Sequence, residues 1–398
     1  MRLRRQLPVY SPITAPALRR VAGRLLRSAD EVEARLSARL AQEYDADAVQ
    51  LFGSGTQALQ VALRVALRRV AGSLVALPSF TCFDVGAAAV GVGARIVLYD
   101  IDPATLEPDL ESLTRCLQGG ARVVVVTPLY GCPVNWQAIE EVVGSFGALA
   151  IEDAAQGHGA RWRMRPVGSM GVISVLSFGR GKGWTGGSGG ALLFRRNSSW
   201  RGVETRPQGV KHASDELRTL MHLSAQWLFG RPAVYGLPAG ISWLRLGETV
   251  YRDAAPPRPI TRCAAACLDA VSAAAHQEAE ARRSNATVML TALHAGSRLQ
   301  TIRPLPDASP GFLRLPVRLP FGLSGFREPR RALRLGIATS YPSVLGVIPQ
   351  VRARLAPGCN QWPGGEELSR TLFTAPTHSL ISATERDALV QVLLEYRA

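Results

Sequence analysis

Seven short apolar runs mark the first half of the chain, at residues 48–52, 74–77, 95–99, 122–127, 148–151, 172–176 and 191–194. Runs this rich in Val, Ile and Leu, with no alternation of polar residues, predict strands covered on both faces. Stretches of helical periodicity lie between several of them, at 56–70, 110–117 and 135–145, and an earlier amphipathic helix is predicted over 30–42 from Val32, Leu36 and Leu40. Strands alternating with helices predict an α/β fold with a mostly parallel sheet, whose ligands gather at the carboxyl ends of the strands. Residues 212–251 read as an apolar-faced helix followed by a Gly/Pro-punctuated stretch, suited to a connection or a dimer contact. The run Pro256-Pro257-Arg258-Pro259 then marks a boundary. Beyond it an alanine-rich helix (262–293), strand-like pieces near 312–317 and a closing helix (383–396) predict a small α+β domain. The division expected is 1–40 as an N-terminal arm and helix, 41–255 as the large domain and 256–398 as the small one.

At 398 residues, 47% hydrophobic and 19% charged, the composition is that of a globular enzyme rather than a disordered or fibrous chain. No apolar run has membrane-spanning length, and the basic start lacks the apolar core of a signal peptide, so a cytoplasmic location is expected. The formal charge of +15 comes from arginines scattered along the chain, without a basic arm or aromatic-basic interleaving, which argues for anion binding and against nucleic acid. The six cysteines include no Cys-x-x-Cys pair and have no histidine at ligand spacing, so no metal site is expected.

Among 46 basic residues only Lys182 and Lys211 are lysines. Arginine keeps its proton, whereas a desolvated lysine becomes a neutral amine able to attack a carbonyl. Lys182 sits in the glycine-rich stretch 177–190. Upstream, Gly53-Ser54-Gly55-Thr56 follows the first strand and opens a helix, where small residues, the Thr56 hydroxyl and the helix dipole favour an anion. Asp153, in Glu152-Asp153-Ala154-Ala155-Gln156-Gly157-His158, ends a fully apolar strand and needs a partner there. A helix N-cap, a salt bridge to an arginine and a protonated pyridine nitrogen all qualify. A phosphate turn, a strand-end aspartate and a later lysine, in this order on an α/β sheet, are what pyridoxal 5'-phosphate requires. Lys182 would form the Schiff base, Asp153 would pair with the ring nitrogen, and Gly55, Thr56 and Ser177 would hold the phosphate.

These stretches resemble the DegT/StrS family of sugar aminotransferases, of fold type I among pyridoxal-phosphate enzymes. The likeness extends to residues 77–81, Tyr341-Pro342 and 375–378. It implies a homodimer with active sites at the subunit interface, and amino transfer from glutamate to a keto-sugar linked to a nucleoside diphosphate. It also implies that Gln156 lies near the cofactor's phenolic oxygen. Where family members carry an aromatic residue to stack on the ring this chain has Cys82, then Phe83, so either is expected to cover it. Ser188 replaces the usual acidic residue of the glycine loop, and no asparagine-containing segment that reaches the partner's phosphate is found. His158, Arg180, Tyr341 and His378 are candidate substrate-facing residues, and Arg180 is expected to lower the pKa of Lys182. A dehydratase of the same family has histidine at the lysine position, which Lys182 argues against. Transamination of a non-sugar ketone, such as a cyclitol or polyketide-type intermediate, and a non-catalytic cofactor- or nucleotide-sugar-binding role are the alternatives.

Overall fold

The computed structural model describes residues 4–25, 28–195, 207, 213–241, 249–296, 299–357 and 361–397. Lys211 and Cys359, and part of the 212–251 stretch, lie outside them. All seven apolar runs are strands of one sheet: β1 (Ala48–Phe52), β2 (Leu74–Pro78), β3 (Arg95–Tyr99), β4 (Val123–Val126), β5 (Leu149–Asp153), then, beyond a hairpin of β6 (Arg161–Trp162) and β7 (Arg165–Pro166), β8 (Ile173–Ser177) and β9 (Gly190–Phe194). Their order is β1-β9-β8-β5-β4-β2-β3, parallel from β8 to β3, with β9 antiparallel to both its neighbours. The sheet is therefore mostly parallel, as the unbroken apolar runs required.

Helices α1 (Ala15–Arg24), α2 (Ala29–Tyr44), α3 (Gly55–Leu67), α4 (Phe83–Gly91), α5 (Leu110–Gln118) and α6 (Trp136–Ser145) flank this sheet, followed by α7 (Ala213–Phe229) and α8 (Pro232–Ala239). The apolar sequence did not signal α4, because six of its nine residues are buried and no polar face gives it a period. In α2, Val32, Leu36 and Leu40 are buried as their spacing predicts, and Ser28 caps the helix by accepting from the Glu31 amide at 3.2 Å.

The 35-residue helix α9 (Arg262–Gly296) carries the chain to the C-terminal part. There β11 (Leu315–Arg318) and β12 (Ala338–Thr339) pair antiparallel with β13 (Leu372–Ala375), and a capping box starts the closing helix, Ala383–Leu394. A two-residue strand, β10 (Ala308–Ser309), pairs with β6. The cores do not divide at residue 256. The first turns of α9 (Ala264, Leu268, Val271) pack with Val21, Leu36 and Leu40, whereas its last turns (Met289, Leu293) pack with Leu315, Val317 and Leu389.

The last two residues of β5 point to opposite faces, as strand geometry demands. Glu152 is 0% exposed and fully satisfied: its carboxylate accepts from the amides of Gly168 at 2.7 Å, Met170 at 2.9 Å and Gly171 at 3.2 Å, and from the Ser174 hydroxyl at 2.7 Å. Arg195 closes this network, donating from Nη1 to the Gly171 carbonyl at 2.7 Å and to Ser174 Oγ at 2.9 Å. Glu152→Ala strands these donors without water, and is expected to cost about 3 kcal/mol of stability in urea titrations. A loss below about 1 kcal/mol would show that the network contributes little.

Candidate active site

The glycine-rich segment after β8 forms a tight loop that presents Lys182. Gly181 has φ of +79°, Gly187 +78° and Gly189 +111°, conformations a side chain would strain. The Thr185 hydroxyl donates to the Phe178 carbonyl at 2.9 Å and accepts from the Gly187 amide at 3.0 Å. Trp184, almost fully buried, donates its indole N–H to the Leu268 carbonyl of α9 at 3.0 Å. The Ser11 hydroxyl donates to the Lys182 carbonyl at 2.7 Å, so the N-terminal arm ties down the lysine itself.

Next to this loop the first turn of α3 meets the end of β8. A Cβ at Gly55 would lie 2.5 Å from Ser177 Cβ, and one at Gly190 would lie 2.5 Å from the Gly55 amide nitrogen. Only glycine permits that approach. Ser54 caps the helix by accepting from the Gln57 amide at 3.2 Å, while the amides of Gly55 and Thr56 belong to the turn that a helix leaves without intrahelical partners. Ser177 Oγ and these N–H groups thus share one corner at the carboxyl ends of β1 and β8.

Asp153 is 5% exposed, and its one hydrogen bond comes from the Ala155 amide at 3.2 Å. No arginine pairs with it among the described residues, which removes the salt-bridge alternative; nor does it cap a helix. Burial pushes its carboxyl up to about 6, an effect the charge of Lys182 partly offsets. Cys82 lies within electrostatic reach of both Lys182 and Asp153, and burial raises its thiol to about 12, so it stays neutral. Phe83 is buried in the same core cluster as Ala88, Leu345 and Val351, against which Cys82 also packs.

Gln156 organises the far side. Its Oε1 accepts from the Tyr130 amide at 2.7 Å and its Nε2 donates to the Tyr341 hydroxyl at 2.5 Å. Tyr341 packs edge-on to Phe80 at 5.4 Å and stacks with Tyr130 at 6.3 Å. Sequence reading missed Tyr130, which follows β4 in a short turn at φ of +55° and shares a hydrogen bond with Ser340 Oγ. Its place just past a strand end was the available signal. Asp153, Gln156, Ser177, Tyr341 and Lys182 therefore converge, and a small cavity touches Ala155, Gln156, Ser177, Lys182 and Trp184.

His378 is 1% exposed, bonded through Nε2 to the Leu7 carbonyl at 3.0 Å, and burial lowers its pKa to about 4, so it anchors the N-terminal arm. His158 lines the cavity beneath the lysine loop, 5.3 Å from the rings of Trp184 and His276. Burial, with Arg282 nearby, lowers its pKa to about 3 and keeps it neutral. Arg180 is exposed and its charge is felt at Tyr235 on α8, while the charged group that faces Lys182 is Asp153.

A buried carboxylate without a cation, a glycine-only crossing that presents helix amides beside a serine, and a lysine on a clamped loop form an architecture of pyridoxal-phosphate enzymes of fold type I. The chain belongs to the DegT/DnrJ/EryC1/StrS aminotransferase family, which it matches over residues 20–228. It is 34% identical over 141 residues to 3-amino-5-hydroxybenzoate synthase of Amycolatopsis mediterranei, covering 35% of this chain and 36% of that one. It is 33% identical over 167 residues to L-glutamine:2-deoxy-scyllo-inosose aminotransferase of Streptomyces kanamyceticus, covering 42% and 39%. These matches span little more than a third of the length of the curated relatives. In structure it is similar to the sugar aminotransferase CalS13 from Micromonospora echinospora, with a TM-score of 0.74, 21% identity and coverage of 97% and 98%.

Pyridoxal 5'-phosphate is the cofactor of that family. The residues fit it: Asp153 lacks the positive charge that a pyridinium nitrogen carries, and the Gly55 corner offers donors for a phosphate. The raised Asp153 pKa has a measurable consequence without cofactor. Between pH 3.8 and about 6 the folded chain keeps a proton that the unfolded chain has released. The stability tied to this group is therefore full below pH 3.8 and is lost as pH rises through about 6, by about 3 kcal/mol. Asp153→Asn removes that part. Urea titrations at pH 4 and pH 7 check it: a wild-type-minus-variant difference that is the same at both values rules it out.

Proposed function

We propose that this chain is a pyridoxal-phosphate-dependent aminotransferase that passes an amino group from glutamate to a keto-sugar, the natural form being a nucleotide-linked keto-deoxysugar. The observation that carries the reading is the convergence of Lys182 on an Asp153 carboxylate that has no other cation. The relatives named for L-glutamine and 2-deoxy-scyllo-inosose favour, as the second reading, a cyclitol or other ring ketone as acceptor and glutamine as donor.

When bound, the cofactor supplies an electron sink for the carbanion formed at the substrate carbon. Asp153 would hold the positive ring nitrogen through its carboxylate, and its burial would strengthen that attraction. The Gly55 and Thr56 amides with Ser177 Oγ would hold the phosphate, and Cys82 would pack on the ring face. Lys182 Nζ would take the proton from the substrate carbon and hold it for return, and its clamped loop would keep the amine in place for that exchange. Gln156, fixed by Tyr130 and Tyr341, would lie near the phenolic oxygen. The exposed Arg180 suits the diphosphate of a nucleotide-linked acceptor.

The finer expectations are a homodimer and a cytoplasmic location. Leu217 at 59% exposure, Met221 at 57% and Leu228 at 53% leave one face of α7 apolar, which supports a contact between subunits. No helix among the described residues is long and apolar enough to cross a membrane.

The holoenzyme is expected to be yellow, and borohydride should fix the cofactor mass on the peptide holding Lys182. Label on Lys211 would end this reading. Lys182→Ala should retain the fold by circular dichroism and lose amino transfer by roughly a thousandfold or more, measured with labelled glutamate against a panel of keto-acceptors. In sedimentation the wild type should run as a dimer and Met221→Glu should shift toward monomer, whereas an unshifted variant places the contact elsewhere.

A further inference from the structure

Arg314 immediately precedes β11, in a segment that docks on the Tyr130 turn: the Gly311 amide donates to the Gly131 carbonyl at 2.8 Å and the Leu313 amide to the Tyr130 carbonyl at 2.9 Å. Its guanidinium Nε and Nη2 are shut off from water and have no hydrogen-bond partner among the described residues. Burial lowers its pKa, and the groups that face it are Tyr130, Tyr341 and Tyr235, with no carboxylate among them. The three tyrosines are themselves neutral, since burial raises each of them. A buried cation with no counter-ion is costly, and this one is kept beside the cleft that holds Gln156, Tyr341 and Asp153.

Nε and Nη2 form one edge of the guanidinium, and their N–H bonds run parallel at the spacing of the two oxygens of a carboxylate. We propose that Arg314 is a carboxylate-binding residue for a substrate of this enzyme, taking the α-carboxylate of the amino donor or a carboxylate on the acceptor. One guanidinium matches one carboxylate in charge and shape, whereas a diphosphate would call on the exposed Arg180 and on Arg5, whose charges, like that of Arg314, are felt at Tyr235. Tyr130 and Tyr341 are tied by their hydroxyls to Ser340 and Gln156. Tyr235, on α8, has no such hydroxyl tie among the described residues. The inference rests on the functional reading above, because it places the carboxylate in the same cleft as the cofactor.

The test uses the holoenzyme, Arg314→Gln and Arg314→Lys, titrated by calorimetry with glutarate, which has the donor's carboxylates and no amine. Arg314→Gln should raise the Kd for glutarate roughly 30-fold with cofactor uptake unchanged, and Arg314→Lys should fall between it and wild type. The two half-reactions, run separately, identify the source. A raised half-saturation for glutamate assigns the carboxylate to the donor, and one for the keto substrate assigns it to the acceptor. An unchanged glutarate Kd with normal cofactor uptake overturns the carboxylate site alone, as does loss of inorganic phosphate binding without loss of glutarate binding. A wild-type chain that takes up no pyridoxal 5'-phosphate overturns the functional reading and this inference together.

Discussion

A carboxylate at the end of β5 is held in a dry interior without a cation of its own, and the architecture around it is arranged to keep it so. Among the described residues Asp153 has only the Ala155 amide as a hydrogen-bond partner, although the chain is strongly basic. That state is tolerable in the folded protein because Lys182 stands within electrostatic reach, and because a positively charged ring would complete it. Removing water from such a group magnifies every charge nearby. The glycine loop, the N-terminal arm and α9 all serve to keep the amine in place against it.

The adjacent glutamate shows the other way of burying a carboxylate. Glu152 is surrounded by three amides and a hydroxyl and serves the fold, whereas Asp153, one residue on, is left with capacity unmet. A strand's two-residue period makes this division automatic, since one side chain enters the packed layer and the next faces the strand-end cleft.

The arginines divide in the same manner. Asp269 in α9 draws Arg24 at 2.7 Å, Arg39 at 2.9 Å and Arg35 at 3.0 Å, binding α1 and α2 to the long helix. Arg195 is spent on backbone carbonyls around Glu152. These arginines are structural mortar rather than a binding face, whereas Arg314 has two buried nitrogens without a hydrogen-bond partner among the described residues and three neutral tyrosines around it.

The strands, the order of their motifs and the identity of Lys182, Asp153, Ser177 and the Gly55 turn were legible in the sequence, because unbroken apolar runs, a single lysine in a glycine loop and strand-end polar residues are local signals. The helix α4 was not, since burial on all sides erases periodicity. The extent of α9 was legible to within three residues, 262–293 against Arg262–Gly296, but the service of its two ends to different cores was not. The burial of Phe83 in the core, His378 as an anchor for Leu7, and the Tyr130–Gln156–Tyr341 chain were decided by tertiary structure alone. Each depends on residues far apart in the chain meeting at one place, and no spacing along a sequence encodes which side of a turn a ring will face or which distant carbonyl a histidine will find.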